Sequence, residues 1–299
     1  MINRRKFVKN ASLITGISAG TGLSFLNFLF KQDGFQMTPL RNNVGVFTER
    51  GGTMGWMASK EGIVVVDTQF KDQAEHAIAE IKKIFDRPID LLINTHHHGD
   101  HTGGNIAFKG LVKQVAAHEN SKANQERTVK DLSTTILPDT TYASGKWSKK
   151  VGEETMAMHY FGAAHTDGDS VVHFENANIV HMGDLLFNRR PPFIDKSAGA
   201  NIASWTQVMD KTYAAFDDDT LFVYGHSGEG YDIQGKRADL MAFKNYLEKS
   251  LEYVKKGIDN GKTKESLADV NEIPNAPEWK GSQARTVAAA YTELFEEGK

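Results

Sequence analysis

Four residues in one short stretch, His96, His98, Asp100 and His101, stand in the order His-x-His-x-Asp-His. Imidazole and carboxylate are ligands for zinc and similar divalent metals. The spacing lets alternate residues of a tight loop face one point while the last pair faces a second point nearby. Two metals can share such a loop, and a metal pair activates water for attack on an electrophile. The stretch therefore predicts a hydrolase whose nucleophile is made by metal, with no serine or cysteine required. An apolar run over residues 91–94 leads into the loop and reads as a buried strand that delivers it.

The same order is the signature of the metallo-β-lactamase superfamily, which this chain resembles at further stations in the family's order. Asp67 ends an apolar run, His165 precedes Thr166, Asp184 follows Gly183 and His226 follows Gly225. The resemblance spans residues 44–230. It implies an αββα sandwich, with two mixed β-sheets face to face and helices outside. It also implies a ligand set: His96, His98 and His165 at a first metal, Asp100, His101 and His226 at a second, and Asp184 bridging them. Two Zn2+ ions are the expected cofactors, with Fe or Mn as alternatives. A hydroxide held between the metals would be the nucleophile, and Asp100 would also orient it. Asp67 would brace the metal loop by hydrogen bonding. Asp167 and Asp169 would tie down the loop after His165.

The remaining histidines read as structural. Alternation points His97 away from the ligands, His173 and His181 lie inside strands, and His76 sits among charged neighbours on a helix. His118 and His159 show no partner by spacing.

The substrate is less defined. The superfamily hosts β-lactam, lactone, thioester and phosphodiester hydrolysis, and the fold does not choose among them. The resemblance favours a small-molecule substrate cleaved at an acyl C–O, C–N or C–S bond. A true metallo-β-lactamase of the Cys-free type is the alternative, followed by a lactonase, a thioesterase or a non-enzymatic metal-binding scaffold. Phe187 stands where signalling lactonases often carry a tyrosine, which disfavours that activity. Arg189 and Arg190, beside a Pro-Pro pair, are candidate contacts for a substrate carboxylate, and Trp56 and Trp205 are candidate pocket walls.

Composition narrows the field further. The 299 residues carry a formal net charge of -3 and no cysteine. Disulfides and thiolate ligands are excluded, and with them the β-lactamase subclass that uses a cysteine ligand. Residues 1–31 open with Arg4-Arg5-Lys6-Phe7 before an apolar stretch, and read as a twin-arginine export signal. An uncleaved membrane anchor is the other reading. Without that segment the chain holds 30 basic against 38 acidic groups. Such a balance disfavours nucleic acid as a partner. The expectation is a periplasmic or otherwise exported enzyme that meets the twin-arginine machinery. Residues 32–299 would form the hydrolase domain, helical from about residue 233.

Positioning elements follow from the apolar patterning. Strands are expected over residues 44–47, 54–58, 63–67, 91–94, 114–117, 156–160, 170–174, 179–182 and 221–224. Helices are expected over 71–85, 102–108, 119–130, 204–216 with Ser204 as cap, and 233–256, with a last helix in the tail.

Overall fold

The computed structural model describes residues 30–32 and 34–297. The expected export signal falls almost wholly outside the described residues. Its last two positions, Phe30 and Lys31, belong to the first strand.

Eight strands in chain order form the first sheet: β1 (Phe30–Gln32), β2 (Phe35–Pro39), β3 (Val44–Thr48), β4 (Met54–Ala58), β5 (Ile63–Val66), β6 (Leu91–Ile93), β7 (Val115–His118) and β8 (Thr140–Tyr142). It is antiparallel up to β5 and parallel from β5 to β8. The chain continues through β9 (Gly145–Val151), β10 (Glu154–Tyr160), β11 (Val171–Phe174), β12 (Ile179–His181), β13 (Phe187–Asn188), β14 (Leu221–Val223), β15 (His226–Ser227) and β16 (Gln234–Gly235). The second sheet has the order β16-β14-β12-β11-β10-β9, and β13 pairs with β15 as a small separate ladder. The helices are α1 (Lys71–Ile84), α2 (Gly99–Thr102), α3 (Glu119–Thr128), α4 (Ile202–Ala215), α5 (Arg237–Asp259), α6 (Lys264–Ala268) and α7 (Ala284–Tyr291).

The layering follows from the period of two along each strand. Val64 and Val66 face the second sheet, where they meet Met156, Met158, Val172 and Phe174. Ile63 and Val65 face the other way, onto Ala74, Ala77, Ile78 and Ile81 of α1. Leu91 and Ile93 join the layer between the sheets, and Leu92 joins the α1 layer. Both faces of β5 and β6 are covered, which explains their unbroken apolar runs. On the far side, α4, α5 and α7 bury Trp205, Phe243, Tyr246 and Val287 against the second sheet. Each such side chain contributes about 1.5–3 kcal/mol by leaving water. The result is the αββα sandwich expected from the sequence.

Some local expectations need correction. The helix expected over 102–108 is two pieces, α2 and a 3-10 turn Asn105–Phe108. Between them the backbone packs closely on the loop after β5: a Cβ at Gly104 would lie 2.3 Å from the Thr68 carbonyl oxygen. Helix α4 starts before Ser204, because the Asn201 side chain caps it by accepting the Ser204 N–H at 2.6 Å. Residues 234–235 pair with β14 as β16, so the long helix begins only at Arg237. The charged strand β9 was not anticipated. It pairs with β10 along its whole length, with Lys146 and Lys150 exposed on one face and Lys149 half-buried on the other.

Candidate metal centre

The parallel arrangement decides where the donors arrive. Strands β5, β6, β12 and β14 all point their C-terminal ends at one edge of the sandwich, and Asp67, His96, Asp184 and His226 follow those ends. His165 comes from the loop between β10 and β11. Helix α2 opens immediately after His98 and brings Asp100 and His101 in on its first turn.

Two donor sets result. His96, His98, His165 and Asp184 each offer an atom within 4.8 Å of the others, and so do Asp100, His101 and His226. His98 Nδ1 lies 3.1 Å from His96 Nε2 and 2.9 Å from His165 Nε2. Asp184 reaches both sets. Its Oδ2 is 3.6 Å from His165 Nε2 and 3.4 Å from His226 Nε2, and its Oδ1 is 3.0 Å from His101 Nε2. Asp100 Oδ2 is 3.1 Å from His226 Nε2 and 3.8 Å from His101 Nε2.

The outward nitrogens fix the tautomers. His98 Nε2–H donates to Asp195 Oδ2 at 3.0 Å, and His165 Nδ1–H donates to the Phe193 carbonyl at 2.8 Å. His101 Nδ1–H donates to Asp67 Oδ2 at 2.7 Å. The Thr95 hydroxyl spends its proton on Asp67, so it accepts from His96 Nδ1 at 3.0 Å. In the neutral ring the other nitrogen is then a bare lone pair. Three such lone pairs face one another in the first set, an arrangement that repels unless a cation lies among them. His101 Nε2 and Asp184 Oδ1 are buried and without a well-aligned hydrogen bond. A buried polar atom left so is costly. The donor chemistry therefore fits divalent metal at both sets.

Electrostatics divides the two sets. Burial holds His96 well below the usual imidazole range and His165 down at about 3. Burial also opposes charge on His101 and His226, but Asp184 with Asp67 or Asp100 overcomes it. His101 is lifted well above its usual value and His226 to about 9. Asp184 is held well below the carboxylate range, because His226 and His101 outweigh its burial.

Two glycines make room for this packing. A Cβ at Gly225 would lie 2.1 Å from Asp184 Oδ1, and one at Gly52 would lie 2.1 Å from the His101 ring. Asp67 holds the metal loop through Thr95 as well as His101, accepting the Thr95 N–H at 2.8 Å. Asp169 accepts the Thr166 N–H at 2.7 Å, and Asp167 accepts from Asn124 at 2.8 Å, so both tie down the His165 loop.

A cavity of about 710 Å³ opens over the centre, walled by His98, Asp100, Asp184, Phe187, Arg190 and Phe193 among others. Of the four candidate substrate contacts, it includes only Arg190. Arg189 turns away, pairing with Asp239 and with Glu278 at 3.4 Å, over the Trp279 ring. Trp56 is buried in the α1 layer, packed on Gly45. Trp205 is fully buried behind the centre, donating to the Leu185 carbonyl at 2.9 Å and packing 5.7 Å from the His165 ring.

The other histidines have structural work. His181 Nδ1 accepts the Gly183 N–H, and its Nε2–H donates to the Thr53 carbonyl. His118 caps α3 by accepting the Asn120 N–H. His76 is exposed and pairs with Glu49 at 2.9 Å. His159 and His173 pack on Phe216. His97 lies 3.6 Å from Asp195. Sequence reasoning missed Asp195, Ser282 and Arg285. No spacing rule links them to the metal loop, since Asp195 arrives from a loop far along the chain, Ser282 from the loop before α7 and Arg285 from the first turn of α7.

Comparison with known proteins follows the same pattern. The model of a family described as the metallo-beta-lactamase superfamily matches residues 47–226. Metallo-beta-lactamase IND-1 of Chryseobacterium indologenes is 25% identical over 199 residues, 63% of this chain and 80% of that protein. The structure of a metallo-beta-lactamase from Pontibacter korlensis superposes with a TM-score of 0.61 at 20% identity, covering 72% of this chain and 99% of that one. The structure of a double mutant of the sec-alkyl sulfatase PisA1 gives a TM-score of 0.69 at 13% identity, covering 88% of this chain and 50% of that one.

Proposed function

Because this chain belongs to the metallo-beta-lactamase superfamily, we propose that it is a dinuclear zinc hydrolase cleaving an acyl C–O, C–N or C–S bond of a small molecule. The observation that carries this reading is the convergence of seven donors in two sets that share Asp184. Zinc bound there would lower the pKa of a coordinated water to about 7 and polarise the scissile carbonyl. The chain's own residues do the rest. Asp67, Asp195, Thr95 and the Phe193 carbonyl keep four imidazole lone pairs inward. Asp184, within reach of both donor sets, would help hold metal at each, and Asp100, at the cavity wall, would orient the attacking water. The buried rings of His96, His101 and His165 keep the floor of the site dry.

A true β-lactamase is the second reading, supported by the relation to IND-1 over most of that protein's length. Hydrolysis of a chromogenic cephalosporin by the zinc-loaded protein, with and without chelator, separates the two. Chelator-sensitive turnover on the order of 10⁴ M⁻¹s⁻¹ or above would establish a β-lactamase. Trace turnover with two metals bound would direct the search to lactones and thioesters. If no substrate of any of these classes is cleaved by the two-metal protein, the hydrolase reading fails. Export through the twin-arginine route is part of the proposal, resting on Arg4 and Arg5. Replacing both with Lys should leave the protein in the cytoplasm on fractionation.

A further inference from the structure

We propose that the site is built for an anionic substrate, and that the C-terminal helical arm supplies the second of two cations that hold its charge. The inference rests on the hydrolase reading and adds a substrate class to it. Arg190 and Arg285 line the same cavity as the metal donors, together with Ser282. They reach it from separate parts of the chain, Arg190 from the loop after β13 and Arg285 from the first turn of α7.

Arginines on a protein surface are common, so their partners decide. Arg189 is spent on Asp239 and Glu278. Arg190 and Arg285 are exposed, and neither has a carboxylate partner among the described residues. Arg285 is nonetheless positioned. Its guanidinium lies 5.2 Å from the centroid of the Phe193 ring, and that ring lies 5.3 Å from the His98 ring. The Phe193 carbonyl also holds His165. Arg285 is thus two ring contacts from the first donor set.

The acidic groups on the cavity wall are Asp100 and Asp184, both within the donor sets. Two divalent ions would more than neutralise them, leaving a cavity of net positive charge. Guanidinium groups bind carboxylate, sulfate and phosphonate by paired hydrogen bonds. Phe187, Pro191, Pro192 and Phe193 supply apolar walls for the rest of the molecule. A neighbouring cavity beyond Arg190 and Pro191 is walled by Arg189, Glu278 and Lys280, so Lys280 faces the other side of that rib.

The test is calorimetric binding to the zinc-loaded full chain, independent of turnover. Hexanoate and hexyl sulfate are compared with the neutral hexanamide in wild type, Arg190→Ala, Arg285→Ala and the control Lys280→Ala, each with two metals verified. At least one anion should bind tenfold or more tighter than the amide. That advantage should fall about tenfold in each arginine variant and persist in the control. Which anion shows it identifies the carboxylate or sulfate class. The proposal is overturned if neither anion outbinds the amide, or if the advantage survives both arginine variants, which would place the anion on the metals alone. Because no hydrolysis is measured, failure of the hydrolase reading leaves this result interpretable. For a substrate once found, Arg285→Ala should raise KM and spare kcat.

Discussion

The two halves of the metal centre use the same kinds of side chain under opposite electrostatic conditions. His96 and His165 in the first half are buried among other imidazoles and are held neutral. His101 and His226 in the second half face Asp184, with Asp67 beside His101 and Asp100 beside His226, and hold protons when no metal is bound. The first half is therefore a preformed set of lone pairs, while the second is an ion-pair network that a metal must displace. Burial alone makes an imidazole a ready ligand, and burial with carboxylates makes it a ligand that must first lose a proton.

Asp184 is where the halves meet, so its loss should have the largest effect. Asp184→Ala should bring metal content below one per chain and lower kcat/KM by about 10³-fold or more, read by elemental analysis and kinetics. Asp100→Ala touches the second half alone. It should keep the first metal and lower kcat/KM on the order of 10²-fold. Equal metal loss in both variants would break the division into halves. Gly225→Ala tests the same point without removing a donor, since its methyl would occupy the position of Asp184 Oδ1. A shift of about 1 Å there should cost about 10²-fold in kcat, with far-ultraviolet circular dichroism unchanged.

Smaller effects should follow from the residues that hold the rings. Asp67 orients His101, and Asp195 orients His98. Ser197 and His98 hold the Asp195 carboxyl at about 2 against its partial burial, so it is ionised at neutral pH. Asp67→Asn should weaken the second metal about 10–100-fold, and Asp195→Asn should weaken the first by a similar factor. Competition titration with a chromophoric chelator reads both constants. If Asp195→Asn weakens the second metal instead, the assignment of His98 to the first half is wrong.

The sequence made this comparison half legible. The ligand candidates were readable because the His-x-His-x-Asp-His loop and the later stations resemble a family's pattern; Asp67, His96, Asp184 and His226 follow strands whose parallel pairings gather their ends at one edge. Asp67 was readable for the same reason. Asp195 was not, because it approaches His98 from 97 positions away and follows no strand. Trp56 and Trp205 read from sequence either as core or as pocket wall, because an indole looks alike in both. Only the packing of Trp56 under α1 and of Trp205 behind His165 separates the two. Arg189 and Arg190 are adjacent and chemically identical in sequence. Asp239 of α5 and Glu278 of the loop before α7 neutralise one and leave the other to the cavity.

The gentlest test of the two halves is pH. Loading the first metal displaces no proton from His96 or His165, since burial keeps both neutral near pH 7. Loading the second must displace a proton from His226 at any pH below about 9, and one from His101, whose pKa Asp184 and Asp67 also raise. The sign follows directly. A group whose pKa is raised in the metal-free protein competes with metal at low pH and ceases to compete as pH rises through that value. The second association constant should therefore rise with pH, by roughly tenfold per unit for each proton released. The first should change little over the same range. Titrations at pH 6, 7 and 8 with a weakly coordinating buffer measure both. Parallel slopes would show that the metal-free protein does not distinguish the halves. Divergent slopes would predict a one-metal form in mildly acidic conditions, with the first set filled and Asp184 still paired to protonated His101 and His226.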